Sequence, residues 1–142
     1  MIEQITVFLE NDKGRLASLA RCLGNAGINM SALSISDAAD YGLVRIICND
    51  PQAAQTALEK GGYRSLVTKV LAVGVPHRAG GLADLLESLD SLDLNIEYGY
   101  CFSHQNGRAV MALKFEDLAS AEAAEDALDG VGFAILSQEE LD

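Results

Sequence analysis

The chain has 142 residues, of which 49% are hydrophobic, so it is long enough to bury a sizeable core. Its 21 acidic and 10 basic residues give a net charge of −11, which disfavours nucleic acid and anionic membrane surfaces as partners. No signal-peptide pattern and no apolar run of membrane-spanning length is present, so we expect a cytoplasmic protein that contacts no membrane.

The first half of the chain is predicted to form a strand, a helix, two hairpin strands, a helix and a strand. Polar and apolar residues alternate in the first strand, whereas the helices have apolar residues three and four apart. Asp50 followed by Pro51 is typical of a helix start, Gly27 and Gly61 of helix ends, and residues 37–42 of a polar turn. The predicted ranges are residues 2–10, 16–26, 28–35, 43–48, 51–60 and 63–70.

The second half repeats this order. Asn106 and Gly107 predict a hairpin turn, and Asp117 or Ser120 is expected to cap the last helix. Each half is therefore a βαββαβ unit, the ferredoxin-like motif of an antiparallel sheet with two helices on one face. The predicted elements are a strand ending at Val75, a helix over 82–92, strands over 94–102 and 108–115, a helix ending at Leu128 and a strand over 133–136.

Six positions of the first half recur in the second half at a constant separation of 66 residues. A fixed separation that preserves glycine, apolar and polar positions indicates duplication of one supersecondary unit. Halves of about 70 residues are marginally stable alone, so they are expected to pack on each other or on a second chain. The recurring positions are Gly14, Leu16, Ala17, Leu19, Leu23 and Asn29, which return as Gly80, Leu82, Ala83, Leu85, Leu89 and Asn95.

The polar loop before the first helix is a candidate anion site. Backbone N–H groups around Gly14 are expected to point outward at a helix N-terminus, which favours a carboxylate. Asp12, Asn11 or Asn29 would then accept hydrogen bonds from an ammonium group, so both ends of an amino acid would be met. The alternative is a plain turn, in which the glycine only permits an unusual backbone angle.

The corresponding loop of the second half keeps the glycine but has Arg78 where the first loop has Asp12. Here His77 and Arg78 would add to anion binding, and Asn95 or Glu97 would have to meet an ammonium group. The alternative is that His77 and Arg78 are surface residues without a ligand.

The sequence gives little support for catalysis, so we expect no enzyme. His77 and His104 are expected in different loops without a sequence-local nucleophile. Cys22, Cys48 and Cys101 are an odd number, which favours a reducing compartment, and each is expected to be a buried small hydrophobe. No metal-binding spacing and no phosphate-binding glycine loop is present, so neither a metal nor a cofactor is expected.

Two βαββαβ units, each with a polar loop ending Gly-x-Leu and an Asn-hydrophobic start to its second strand, resemble tandem ACT domains. The stretch FLENDKGRLASLARCLGNAGINMSALSISDAADYGLVRIICNDP is similar to small stand-alone ACT-repeat proteins of bacteria, and VPHRAGGLADLLESL with LNIEYGY resembles their second repeat. The resemblance spans essentially the whole chain. It implies an α+β fold with one ACT domain over residues 1–68 and another over 69–142.

The resemblance further implies that the two antiparallel sheets pair side by side through their second strands into one eight-stranded sheet. Ligands then bind at the seams between the first loop of one unit and the second strand of its neighbour. Carried over by position, the first seam consists of Asn11, Asp12, Gly14, Arg15 and Leu16 with Asn95, Ile96 and Glu97. The other consists of His77, Arg78, Gly80, Gly81 and Leu82 with Asn29, Met30 and Ser31.

The implied function is a non-enzymatic regulatory module that binds a free L-amino acid at the seam and signals its availability. The exchange of Asp12 for Arg78 makes the two seams inequivalent and favours the first. The alternative is a ligand-independent regulatory subunit of a separate amino-acid biosynthetic enzyme, such as acetolactate synthase. A homodimer is expected in either case.

Overall fold

The computed structural model describes residues 1–36, 41–105 and 107–141, without the side chains of residues 104 and 105. The described residues form seven strands and four α-helices. The strands are β1 (Ile2–Glu10), β2 (Met30–Ser36), β3 (Tyr41–Cys48), β4 (Arg64–Pro76), β5 (Ile96–Gln105), β6 (Arg108–Phe115) and β7 (Ala134–Ile135). The helices are α1 (Arg15–Asn25), α2 (Pro51–Lys60), α3 (Gly81–Glu87) and α4 (Leu118–Gly130), with short 3₁₀ turns at Asp90–Leu92 and Gln138–Glu140.

The chain divides into two compact units. The first unit comprises Glu3–Thr68 with the C-terminal Leu141, and the second comprises Met1–Ile2 with Lys69–Glu140. Both follow the βαββαβ order, so the predicted α+β class and the ferredoxin-like succession of elements are confirmed.

The sheet of the first unit is antiparallel, with β3 between β1 and β2, so β2 lies at one edge. Residues of one face of β1 and β3 form the core together with α1 and α2, because strand side chains alternate between the faces. Both helices therefore cover the same face of this sheet. Its buried core residues are Ile5, Val7, Leu9, Leu19, Leu23, Ile28, Val44, Ile46, Cys48, Ala54, Leu58 and Tyr63.

The second unit has the same plan. β6 pairs with β4 on one side and β5 on the other, and β7 pairs with the far side of β4. Leucines of α3 and the alanine-rich face of α4 pack on one face of β4 and β6. The core residues are Leu71, Val73, Val75, Leu85, Leu89, Leu113, Phe115, Ala121, Ala124 and Leu128.

Three predicted helix ends are confirmed. Asp50 caps α2 by accepting a 3.1 Å hydrogen bond from the Ala53 N–H, with Pro51 as the first helical residue. Asp117, rather than Ser120, caps α4. Gly27 ends α1 in the left-handed conformation (φ 75°), which glycine adopts without a steric penalty.

Several predicted elements are wrong in extent. The strands expected over 63–70 and up to Val75 are the single strand β4, because residues 69–73 contain no turn former, so seven strands are described where eight were expected. The helix expected over 82–92 ends at Glu87, and a 3₁₀ turn follows before Asp93, whose φ is 52°. How the two sheets pair remains a prediction.

Other expectations are corrected or untested. Cys48 is buried as expected, whereas Cys22 is half-buried and Cys101 is exposed on β5. β5 extends to Gln105, so His104 belongs to this strand rather than to a loop. Residues 37–40 of the first predicted turn, and Asn106 of the second, lie outside the described residues. None of the helices that the described residues form is long and apolar enough to span a membrane.

Candidate functional site

The two polar loops have the same backbone hydrogen bonds at positions that are 66 residues apart. In the first loop, Asp12 N–H donates to Glu10 C=O, Arg15 N–H to Asp12 C=O and Ser18 N–H to Gly14 C=O. The second loop repeats these bonds from Arg78 to Pro76, from Gly81 to Arg78 and from Asp84 to Gly80. The duplication therefore extends to the backbone of the candidate site.

A left-handed glycine precedes the helix in each loop. Gly14 has φ 83° and ψ −7°, and Gly80 has φ 86° and ψ −8°. This conformation is costly for a residue with a Cβ, which explains why glycine occupies both positions. Neither helix has a side-chain cap at this end, so the first-turn N–H groups have no side-chain acceptor among the described residues.

The first loop borders a small depression of about 130 Å³ that lies wholly in the first unit. Asn11, Asp12 and Leu16, three of the predicted ligand residues, line it, whereas Gly14 and Arg15 do not. Asn11 and Asp12 thus line this depression and directly precede the start of α1 in sequence. The other lining residues are Leu9, Glu10, Ile35, Gly42 and Val44.

The second loop differs in its side chains. Arg78 pairs with Asp84, which is one helical turn into α3, at an Nη2–Oδ2 distance of 2.6 Å. Gly81 is buried, and a Cβ at this position would lie 2.1 Å from the Pro76 carbonyl oxygen. This loop therefore offers a guanidinium that already has a carboxylate partner, while His77, Gly80 and Leu82 are exposed beside it.

The predicted second-strand residues are only partly available to a ligand. Met30 packs against the core of the first unit, and Ile96 packs against the core of the second unit. Glu97 forms a 3.0 Å ion pair with the Lys114 ammonium group. The remaining predicted residues, Asn29, Ser31 and Asn95, lie at or just before the start of β2 or β5 with exposed or half-buried side chains.

Within the first unit, the loop lies far from the start of its own second strand. Glu10 at the end of β1 pairs with Tyr41, whereas Met30 at the start of β2 pairs with Cys48 at the other end of β3. Tyr41 and Cys48 are seven residues apart along β3, so the end of β1 and the start of β2 are separated by roughly 20 Å. A site that combines a loop with the start of a second strand therefore requires two units.

A larger cavity of about 430 Å³ lies in the first unit, and the sequence did not predict it. Of its lining residues, only Arg15 belongs to the predicted site. The residues are brought together from the ends of four elements, so no local spacing reveals them. They are Phe8, Glu10, Arg15, Tyr41, Gly62, Tyr63 and Arg64.

Among residues 1–36, 41–105 and 107–141, no group of three or more His, Cys, Asp or Glu side chains is arranged to hold a metal ion. Burial raises the pKa of the Cys48 thiol, and the hydrogen bond from the Ser120 N–H lowers the pKa of the Asp117 carboxyl. Both perturbed groups lie outside the two loops, so these shifts reflect packing and helix capping.

Comparison with known families settles the class of the chain. A family model described as an ACT domain pair matches residues 1–128. The chain belongs to the ACT domain pair family. No functionally curated protein matches it significantly.

Solved structures share the fold of this ACT domain pair. The protein BT0572 from Bacteroides thetaiotaomicron is 31% identical with a TM-score of 0.90, and the match covers 99% of this chain and 94% of that one. The ligand-free regulatory subunit of aspartate kinase from Thermus thermophilus is 17% identical with a TM-score of 0.62, with 92% of both chains covered. Aspartate kinase from Synechocystis is 17% identical with a TM-score of 0.58, and the match covers 94% of this chain and 26% of the enzyme.

Proposed function

We propose that this ACT domain pair is a non-enzymatic, cytoplasmic regulatory module that binds a free L-amino acid and signals its availability. The observation that carries this proposal is the depression at the first loop, where Asn11 and Asp12 lie beside the uncapped N-terminus of α1. The helix N-terminus attracts a carboxylate, and the side-chain oxygens accept hydrogen bonds from an ammonium group. An α-amino acid carries both groups on adjacent atoms.

The proposed site is completed by a second unit. The first loop contributes Asn11, Asp12, Gly14, Arg15 and Leu16, and the start of β5 contributes Asn95, Ile96 and Glu97. The separation of the first loop from the start of its own second strand supports this division, because one unit alone does not bring the two together. A ligand that contacts two units favours the arrangement in which both contacts are made, which is how binding would be signalled.

The other proposed seam is the weaker candidate. It would combine His77, Arg78, Gly80, Gly81 and Leu82 with Asn29, Met30 and Ser31. Its guanidinium is engaged by Asp84, and Met30 packs against the core of the first unit. An amino acid at this seam would therefore have to displace an existing ion pair.

Thermal unfolding in the presence of each L-amino acid at millimolar concentration tests the proposal. A ligand at about 100 times its Kd adds about 2.7 kcal/mol to the free energy of unfolding, which raises Tm by roughly 5–10 °C in a chain of this size. The Asp12→Ala variant should lose most of this rise, whereas Glu59→Ala, which removes an equal charge from the exposed surface of α2, should keep it. The proposal is wrong if no amino acid raises Tm.

A ligand-independent regulatory subunit is the second candidate function. Leu33 and Ile35 of the edge strand β2 are 40% and 53% exposed, which is unusual for large apolar side chains and suits a protein–protein contact. The contact would be made with a second copy, giving a homodimer, or with an enzyme such as acetolactate synthase. An Ile35→Lys variant that stays dimeric in sedimentation and leaves that enzyme's activity unchanged on mixing would exclude this use of the edge.

A further inference from the structure

The 430 Å³ cavity of the first unit has the composition of a separate ligand site. We propose that it binds an organic carboxylate whose body is flat and apolar. The cavity lies where the end of β1 and the starts of α1, β3 and β4 meet, and all its lining residues belong to the first unit. Its volume is within the range of about 300–1,000 Å³ that is typical of small-molecule sites.

Two arginines line this cavity, and the guanidinium group of each lies over an aromatic ring. The Arg15 guanidinium carbon lies 5.0 Å from the centre of the Tyr63 ring, and that of Arg64 lies 5.6 Å from the centre of the Phe8 ring. The Tyr63 ring is itself fixed, because its hydroxyl lies 2.6 Å from the Ser18 hydroxyl. Stacking restrains a guanidinium while leaving its N–H edge available to a ligand.

Neither guanidinium forms an ion pair with a carboxylate of the described chain, in contrast to Arg78. Among the described residues that line the cavity, Glu10 is the only acidic one, so this lining carries two positive charges and one negative charge. This local excess is notable in a chain whose net charge is −11. A single carboxylate would neutralise it, and the planar fork of arginine matches carboxylate geometry.

The aromatic wall of the cavity is the reason for proposing a ligand with a flat apolar body. The Phe8 and Tyr41 rings lie 6.2 Å apart at an angle of 55°, and Tyr41 is 46% exposed. A flat apolar group placed here would cover aromatic surface that otherwise faces water. The remaining position, Gly62, contributes backbone without a side chain.

The second unit shows that these side chains are not needed for the scaffold. Strand register places Gly74 and Pro76 where the first unit has Phe8 and Glu10, because Glu10 pairs with Tyr41 and Pro76 with Arg108. The loop hydrogen bonds place Gly81 at the position of Arg15.

The turns after α2 and α4 extend the comparison. Tyr63 and Phe133 both donate their N–H to the helix carbonyl five residues earlier, so Ala134 corresponds to Arg64. Four residues that line the cavity, Phe8, Glu10, Arg15 and Arg64, thus correspond in the second unit to two glycines, a proline and an alanine.

In the second unit, Arg108 fills the corresponding space. A Cβ at Gly74 would lie 2.7 Å from the Arg108 Cδ atom and 3.3 Å from the Ala134 Cβ atom. A phenylalanine at Gly74 would therefore require the Arg108 side chain to move. The same fold closes this region in one copy and keeps it open, with two arginines, in the other.

Titration of the full chain with benzoate, followed by the amide resonances of the ¹⁵N-labelled protein, tests the proposal. The amides of Phe8, Arg15, Gly62 and Arg64 should shift with saturation. Arg64→Gln should weaken benzoate binding about tenfold or more, since a charge-assisted hydrogen bond is lost. Arg21→Gln removes an equal charge from the exposed side of α1, outside the cavity, and should change Kd by less than about twofold.

Two further probes define the ligand class. Acetate should bind at least about tenfold more weakly than benzoate, because it covers little of the aromatic wall. Inorganic phosphate should bind more weakly than benzoate as well, since it has no apolar body and would place a second negative charge near Glu10. Tighter binding of phosphate or acetate than of benzoate, equal effects of the Arg64 and Arg21 changes, or no saturable benzoate binding would each overturn the proposal.

This site is separable from the amino-acid site at the first loop. Arg15 belongs to the cavity and to the proposed amino-acid set, and Glu10 lines both the cavity and the depression. Arg64 lines only the cavity, and Asp12 lines only the depression. Asp12→Ala should therefore leave benzoate binding within about twofold of the unchanged chain. Failure of benzoate binding would leave the amino-acid result untouched, and the reverse also holds.

Discussion

Arg78 and Asp84 form an ion pair across the start of α3, with 2.6 Å between Nη2 and Oδ2. The equivalent positions of the first loop are Asp12 and Ser18, which carry no positive charge. Three backbone hydrogen bonds recur in the two loops, whereas the side chains at these equivalent positions differ. The first loop carries a carboxylate at Asp12, and the second carries a guanidinium that is paired with Asp84 of its own helix.

Replacing Asp84 with serine, the residue of the first loop, should change stability little. Both partners are about half exposed, at 59% for Arg78 and 49% for Asp84, and exposed ion pairs contribute at most about 1 kcal/mol. Urea unfolding of Asp84→Ser should therefore show a loss below about 1 kcal/mol, and high salt should reduce it further. A loss several times larger would mean that the pair holds the loop together.

Gly81→Ala should destabilise the chain, because the new Cβ would lie 2.1 Å from the Pro76 carbonyl oxygen, a backbone atom that cannot turn away. Overpacking of this kind costs about 1–3 kcal/mol. Gly24→Ala in α1 is the matched control, since no atom lies within 4 Å of its added Cβ and alanine favours a helix by about 0.5–1 kcal/mol. In urea unfolding, Gly81→Ala should lower the free energy of unfolding and Gly24→Ala should raise it. Equal effects of the two changes would contradict the close contact.

Asp117 should make stability depend on pH below about 4. Its carboxylate accepts a 2.7 Å hydrogen bond from the Ser120 N–H, which lowers its pKa in the folded chain. A lowered folded pKa means that the stabilisation is complete above the unfolded pKa and is lost as the pH falls through the folded one.

The difference in Tm between the unchanged chain and Asp117→Ala should therefore be constant from about pH 7 to pH 5 and should shrink in more acidic solution. Asp117→Asn keeps a capping oxygen that does not titrate, so its own Tm should fall less steeply with acid. A difference that grows as the pH falls would contradict the assigned cap.

The three cysteines should react with thiol reagents at different rates. Cys101 is exposed, whereas Cys48 is 1% exposed and burial raises the pKa of its thiol, which disfavours the reactive thiolate. One fast phase is expected with a disulfide reagent near pH 8, and Cys48 should react only after unfolding. Cys101→Ser should remove the fast phase, and its persistence in that variant would show that the exposure of Cys101 is wrongly assigned.

Local features of the fold could be predicted because they depend on local chemistry. Gly14 and Gly80 adopt the left-handed conformation directly before their helices. Asp50 and Pro51 start α2 through a local cap. Local spacing also misleads. The helical leucine spacing continues to Leu92, although the α-helix itself ends at Glu87. Asp93 takes a left-handed angle there, which aspartate adopts more easily than most residues.

The cavity could not be predicted from spacing, because Arg64 meets Phe8 across 56 residues of sequence only after β1 and β4 have formed. The exposed state of Cys101 also depends on which strand lies at a sheet edge. One signal was present in the sequence. Aligning the repeats places Gly74 opposite Phe8 and Gly81 opposite Arg15. Such differences between two copies of one fold indicate side chains that the fold does not require.

The most direct test of the amino-acid proposal is a titration of the ¹⁵N-labelled chain with the L-amino acid that raises Tm most. Saturable shifts of the amides of residues 11–16 and 95–97 are expected, with a large loss of affinity in Asp12→Ala. Shifts confined to residues 29–31 and 77–82, or binding that is unchanged in Asp12→Ala, would contradict the assignment of the ligand to the first loop.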